Sequence, residues 1–204
     1  MNHIHTFDES MTAARLKSYD EYFCAAFALA CTTRLFNCVI PLPAFYGPVE
    51  TIICSGWIDC IDRIYDPVRW QRDLKAVMDL IELDPNESSF VAVILEDLLA
   101  ATAYFLRFLL YTDIQEAVWS ARRAHELADQ AAIVMLEQDG RGFPPEAIIG
   151  AHTIVQTELL RQAVDVEDLA RGCIEAVRDR ALRESCLTPE QLKLIKSGWA
   201  ARGA

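Results

Sequence analysis

Apolar residues recur every three to four positions along most of this 204-residue chain, which is the spacing of one face of an α-helix. The longest apolar run, Phe90 to Tyr111, contains Glu96, Asp97 and Arg107. A membrane span would have to hold these three charges in lipid, at a high cost in free energy. With helical spacing the run has one wide apolar face instead. It therefore predicts the buried central helix of a helical bundle, near 90–111.

Proline, glycine and capping residues divide the chain into segments of helical length. Asp8 and Ser10 are candidate N-caps of a first helix that reaches about Asn37. A kink or break is expected near Asp165. Further helices are predicted over 47–65, 67–83, 90–111, 112–137, 144–184 and from 188 onward. Their apolar faces are predicted to include, among others, Ile64, Val68, Met78, Ile148 and Leu160.

No period-two strand pattern and no linker-like composition interrupts these segments. The gaps between them are as short as helix connections within one domain usually are. The sequence therefore predicts one all-α domain over 1–204, a helical bundle of six to eight helices. Residues 1–7 and 200–204 are predicted to fray.

The chain carries 30 acidic against 19 basic side chains, a net charge of −11. This charge repels phosphate backbones and anionic membrane surfaces, so binding to nucleic acid or to a membrane is not expected. It would instead attract a basic protein partner by electrostatic steering.

Seven cysteines are present, an odd number with no Cys-x-x-Cys pair, and most have apolar neighbours. These features are typical of reduced cysteines that fill a core. The N-terminal residues have neither a basic region nor an apolar stretch. The expected location is the cytoplasm.

Motifs for catalysis or cofactor binding are missing from the sequence. There is no Glu-x-x-His pair for a di-iron site, no Gly-x-Ser-x-Gly, no P-loop and no dinucleotide fingerprint. His125 and His152 belong to separate helices without neighbouring ligands, and His152 is interpreted as a hydrogen-bonded core histidine. Cys24, Cys31 and Cys38, spaced by seven, are interpreted as core residues. No catalytic residue, metal or cofactor is predicted.

Two acidic groups, one on each of two predicted helices, are the candidate contacts for a basic partner. They would form exposed acidic faces opposite the apolar ones. Arginines near the first group make a solvated, ion-paired surface the simpler interpretation, and a water-mediated divalent ion is another. The candidate partner-binding residues are Asp59, Asp62, Asp66, Asp165, Glu167 and Asp168.

Short segments along the chain resemble a known family. They are Arg34-Leu35-Phe36-Asn37, Tyr46-Gly47, the Trp57 helix, Val134-Met135-Leu136-Glu137, Val155-Gln156-Thr157-Glu158 and Gln162. From Leu16 to Arg183 the chain resembles the YjaG-like family of small bacterial helical proteins of unknown function. The resemblance departs most over 65–90 and in the helix that follows Thr112. It implies a helical, cytoplasmic protein and leaves the activity open.

Three classes of function are compatible with these features. The first is a non-catalytic protein-binding module, most concretely an acidic, immunity- or antitoxin-like inhibitor of a basic, toxin-like effector. The second is a helical enzyme or small-ligand carrier with a pocket between its helices. The third is a structural homo-oligomer such as a homodimer, with Phe143 or Trp199 as interface anchors. We expect the first.

Overall fold

The computed structural model describes residues 5–42, 44–82, 89–137 and 142–202. Within these ranges the chain forms ten α-helices, one 3-10 helix at Ala44–Tyr46, and no strand. The helices are α1 (Glu9–Leu16), α2 (Glu21–Phe36), α3 (Gly47–Asp62), α4 (Pro67–Glu82), α5 (Phe90–Tyr111), α6 (Ile114–Glu137), α7 (Glu146–Gly150), α8 (Thr153–Ala170), α9 (Ile174–Arg183) and α10 (Pro189–Arg202). The all-α prediction is confirmed, whereas the predicted number of six to eight helices is wrong.

Local capping explains the extra helices. Asp8 caps α1 by accepting a hydrogen bond from the Met11 amide at 2.9 Å. Asp20 accepts from the amide of Tyr22 at 3.0 Å and starts α2, so the predicted first helix is two helices. The predicted kink near Asp165 is also wrong, because α8 continues through that residue.

His152 marks the break between α7 and α8. It is the N-cap of α8, and its Nδ1 accepts a hydrogen bond from the Ile154 amide at 3.3 Å. The side chain is half-buried, and burial lowers its pKa. The interpretation of His152 as a core histidine is therefore wrong, because its ring satisfies a free backbone donor at a helix start.

Helix α2 is a central helix of the bundle. Its residues 24–35 are all buried, and it packs against α3, α5, α6, α8 and α9. Helix α5, the predicted central helix, packs against α2, α3, α4, α6 and α10 and has a long buried face, although Glu96 and Arg107 on it are exposed. The equally central place of α2 could not be predicted, because apolar and small residues lie on every side of it, which weakens any helical periodicity.

Close packing of side chains on a glycine positions α3 against this centre. A Cβ added at Gly56 would lie 2.8 Å from the Phe105 ring and 3.1 Å from Leu29. On the same helix, the Trp57 indole donates to the Thr33 hydroxyl at 3.1 Å. The helices α2, α3 and α5 are thus packed together as one unit.

Some residues predicted to face inward are exposed instead. On the short or outer helices the apolar stripe extends beyond the area that a neighbouring helix covers. The exposed residues are Ile64, Val68, Met78, Ile148 and Leu160. Over the described ranges, no helix combines the length and apolar character that crossing a bilayer requires.

Candidate functional site

The six acidic residues predicted to bind a partner do not form two exposed faces. Asp59 is buried on α3, where it accepts hydrogen bonds from Arg69 and, at 2.9 Å, from the Trp70 indole. Asp62 is exposed, and Asp66 is half-exposed. The expectation of solvent exposure is therefore wrong for Asp59, because α4 brings a guanidinium and an indole N–H over it.

The second acidic group, on α8, is mostly occupied by arginines. Asp165 is fully buried and lies 2.6 Å from Arg34 and 2.7 Å from Arg180. Asp168 bonds to Arg171 and, at 2.8 Å, to Arg180. Among the three predicted residues of this group, Glu167 alone is exposed. The expected exposure of Asp165 is wrong, since its partner Arg34 lies 131 positions earlier in the chain.

A buried ionic network is therefore built around Arg34. Its guanidinium donates to Glu158 at 3.0 and 3.2 Å and to Asp165 at 2.6 Å, and all three side chains have no exposed surface. Burial by itself would lower the pKa of Arg34, but the two carboxylates raise it above the ordinary value. The network joins α2 to α8 and, through Arg180, to α9.

A groove of about 350 Å³ lies beside this network, between the N-terminal segment with α1 and helix α8. Its buried floor consists of Phe27, Leu159, Gln162 and Val166. This volume falls within the range of small-molecule sites and is also large enough for an amino-acid side chain. The other lining residues are His5, Thr6, Phe7, Asp8, Met11, Thr12, Arg15, Ala163 and Glu167.

The N-terminal segment, residues 5–8, forms one wall of the groove and is held in place at two points. The His5 amide donates to the Gln156 side chain at 2.8 Å, and the Gln156 amide returns a bond to the His5 carbonyl at 2.8 Å. The Phe7 ring stacks on the His125 ring with centroids 4.9 Å apart. Fraying was predicted for residues 1–7; residues 1–4 lie outside the described ranges, and residues 5–7 make these contacts.

His125 supports Phe7 from a buried position next to Asp129. Burial lowers the pKa of His125, and burial also raises the pKa of its neighbour Asp129. The His125 Nε2 and Asp129 carboxylate lie 3.5 Å apart, too far for a strong charged pair. Both shifts therefore favour the uncharged state, in which an imidazole packs well against an aromatic ring.

Gln162 connects the groove to the ionic network. Its side-chain nitrogen donates to Glu158 at 3.0 Å and to the Ala121 carbonyl at 3.1 Å. The same residue lies on the groove floor. A ligand in the groove would therefore contact a side chain whose orientation is set by Glu158 and, through it, by Arg34.

Clustered metal ligands are missing from the described ranges, where no three His, Cys, Asp or Glu side chains are grouped to hold an ion. Cys24, Cys31 and Cys38 are buried, in agreement with their interpretation as core residues. The absence of a catalytic residue or cofactor stays a prediction.

Neither protein-family models nor curated proteins gave a match to this chain. Among solved structures, its fold is similar to that of a DUF416 family protein from Shewanella baltica. The TM-score is 0.63 at 16% sequence identity, and the match covers 84% of this chain and 93% of that chain. At this identity the likeness shows a shared helical fold and nothing about function.

Proposed function

We propose that this protein is a non-catalytic binding module whose groove receives a basic segment of a partner protein. The observation that carries the proposal is the groove itself, with its buried, mainly apolar floor and two carboxylates, Asp8 and Glu167, among its lining residues. A buried apolar contact would supply affinity, and the carboxylates would favour a basic partner.

The groove has the features of a site that anchors a side chain of a partner protein. The packing of α2 against α8 holds Phe27, Leu159 and Val166 in place on the groove floor. Binding of a partner would therefore cost little conformational entropy at these side chains. An apolar part of a partner side chain placed there would lose contact with water on most sides. Anchors of this kind contribute most of the binding free energy in protein interfaces.

Electrostatics supports a basic partner. The net charge of −11 would raise the encounter rate with a positively charged protein. Asp59 and Asp165 are paired with internal arginines, so they cannot bind a partner without disrupting the fold. Glu167, Asp62 and Asp66 remain the most exposed members of the predicted set.

The most concrete form of the proposal is a cytoplasmic, immunity- or antitoxin-like inhibitor that covers the active surface of a basic effector. Rigid helical bodies and acidic surfaces suit such a role. The resemblance to the YjaG-like family is compatible with this proposal and names no activity.

The test fills the groove without altering the network. Ala163 lines the groove and is half-buried, so Ala163→Phe should occupy the space. The matched control is Ala170→Phe, at an exposed position on the same helix outside the groove lining. Pull-downs from the source organism should recover a basic protein with wild type and with Ala170→Phe but not with Ala163→Phe. Equal recovery by all three would refute the groove as the binding site.

Kinetics separates the two contributions. Glu167→Lys should slow association of the recovered partner and weaken the salt dependence of the association rate. Ala163→Phe should act mainly by speeding dissociation. A partner whose association rate does not change with salt would contradict the electrostatic part of the proposal.

A small-ligand carrier is the second candidate, because a groove of about 350 Å³ also has the size of a small-molecule site. Native mass spectrometry of protein purified from its source distinguishes the two: a stoichiometric small molecule, absent from Ala163→Phe, would favour the carrier. Of the two interface anchors predicted for a homo-oligomer, Phe143 is exposed, whereas Trp199 packs against Phe90.

A further inference from the structure

The hydrogen bonds of Gln162 fix which end of its amide faces the groove. The carboxylate of Glu158 and the carbonyl of Ala121 can only accept hydrogen bonds here, so the amide nitrogen must be the end that lies 3.0 and 3.1 Å from them. Reversing the amide would place its oxygen against two other oxygens. The orientation is therefore determined by chemistry.

The carbonyl oxygen of Gln162 is consequently directed away from the network. It accepts no hydrogen bond from any residue in the described ranges, and it keeps some contact with solvent. Gln162 as a whole is only 6% exposed, and that small surface belongs to the groove lining. A buried side chain thus presents one free acceptor at the groove floor.

Such an acceptor is unfavourable to cover with an apolar group, because a carbonyl that loses water without gaining a donor costs free energy. A ligand that fills the groove should therefore bring an N–H donor to this point. The carboxylates of Asp8 and Glu167 also line the groove, against the single guanidinium of Arg15. Three acceptor groups in one groove favour a donor that is positively charged.

We propose that the Gln162 carbonyl oxygen receives a cationic side chain, the ammonium of a lysine or the guanidinium of an arginine, from the partner segment. The alkyl part of such a side chain would pack on Phe27, Leu159 and Val166 while its charged end reaches the oxygen. This inference rests on the proposed function of the groove and specifies the chemistry that the groove recognises.

The test changes the ligand first, so that it does not depend on the folding of a variant. Two peptides, each with one lysine between two leucines, differ only in acetylation of the lysine side chain. Both are titrated into the ¹⁵N-labelled protein, and the side-chain amide signals of Gln162 and the backbone signals of the groove are followed by NMR. The unmodified peptide should shift these signals and bind about tenfold more tightly than the acetylated one.

Variants of the protein complete the test. Gln162→Met should remove the preference for the unmodified lysine, while Glu175→Gln, on the exposed side of α9, should keep it. Ala163→Phe should abolish binding of both peptides. A preference that survives in Gln162→Met would overturn the assignment of the oxygen.

The outcomes distinguish this inference from the proposed function. Equal binding of the two peptides, lost in Ala163→Phe, would leave the groove as a binding site but overturn the cationic ligand. No shift with either peptide at millimolar concentration would also overturn it. Tighter binding of a free polyamine than of the lysine peptide would identify a small cation, and not a protein segment, as the ligand.

Discussion

The guanidinium of Arg34 and the carboxylate of Asp165 lie 2.6 Å apart, and neither side chain has any exposed surface. Glu158 completes the pairing from the same side of α8. Removing two such charges from water is costly, and only close geometry and full hydrogen bonding offset that cost. We therefore expect the largest effect of this pair on stability when one of its two side chains is removed.

Arg34→Met should destabilise the protein strongly, because it leaves Glu158 and Asp165 buried without their main counter-charge. We expect a loss of about 3–5 kcal/mol in the free energy of unfolding. Urea unfolding followed by circular dichroism measures it. The control is Arg63→Met, which breaks an exposed pair with Asp20 and should cost less than about 1 kcal/mol. Equal effects of the two substitutions would show that the buried network is not stabilised as described.

Asp97 should make the protein less stable as the pH rises. Burial raises the pKa of Asp97 to about 7, and Arg123 at 3.5 Å lowers it only in part. The unfolded chain has an aspartate pKa of about 4. Between these values the unfolded chain releases the proton and the folded protein keeps it, so folding stability from this group declines from pH 4 to pH 7.

Asp97→Asn therefore should gain stability relative to wild type over the same pH range. We expect the difference to be small near pH 4 and to reach roughly 2 kcal/mol or more near pH 8. Thermal or urea unfolding at several pH values measures this difference. Glu96→Gln, at the exposed neighbouring position, is the control and should show no comparable trend. A difference that stays constant with pH would contradict the raised pKa.

Gly56→Ala should disturb the packing of α3 against the centre of the bundle. The added methyl group would lie 2.8 Å from the ring of Phe105, which is fully buried. A loss of about 1–3 kcal/mol is expected from this overpacking. Gly150→Ala is the control, because nothing lies within 4 Å of a Cβ there. A stable Gly56→Ala protein would mean that Phe105 can shift.

Gln156→Ala should release the N-terminal wall of the groove. The Gln156 side chain exchanges two 2.8 Å hydrogen bonds with the backbone of His5 and donates a third to the Gly150 carbonyl. Hydrogen exchange of the peptide covering residues 5–8 should become faster, while exchange in α2 stays unchanged. Gln71→Ala, exposed on α4, should leave both regions as in wild type. Unchanged exchange at 5–8 would show that contacts other than those of Gln156 hold the segment.

Thiol reactivity should divide the seven cysteines into two classes. Cys54 is exposed and Cys173 half-exposed, whereas the other five are buried. Burial raises the pKa of Cys24 to about 12 and raises the pKa of Cys31 above its ordinary range. Iodoacetamide should modify up to two cysteines in the native protein and all seven after denaturation without reductant. Mass spectrometry counts them; five or fewer after denaturation would indicate a disulfide.

Helix boundaries could be predicted from the sequence because caps and breakers act locally. The ends of α5 and α6 agree with the predicted segments to within two residues, since Asp113 and the surrounding residues act over one turn. The break at Asp20 was missed because one residue can continue a helix or cap the next one. In the folded protein Leu16 is buried and the Tyr19 hydroxyl donates to the Val166 carbonyl, and these distant contacts are not visible in the local pattern.

The candidate site could not be predicted, because each of its parts is ordinary in isolation. Asp165 has the appearance of a surface acid until Arg34 is placed beside it, and the two are 131 positions apart. The groove likewise joins residues 5–8 to α8 across about 150 positions. The available signals were the aromatic residue at position 7 and Gln162, which follows Glu158 at the spacing of one helical turn.

The ribosome synthesises α2 before the helices α8 and α9 that complete its enclosure. Helix α2, with twelve consecutive buried residues, is made before the carboxylates that pair with Arg34, which follow 124 and 131 residues later. At roughly 5–20 residues per second, the nascent chain carries this apolar segment without the carboxylates that pair with Arg34 for about 6–25 seconds. A ribosome-associated chaperone that recognises short apolar stretches would find residues 24–35 during that interval. Because α8 and α9 complete the enclosure, a chain that stops before them would leave one side of α2 uncovered and prone to aggregate.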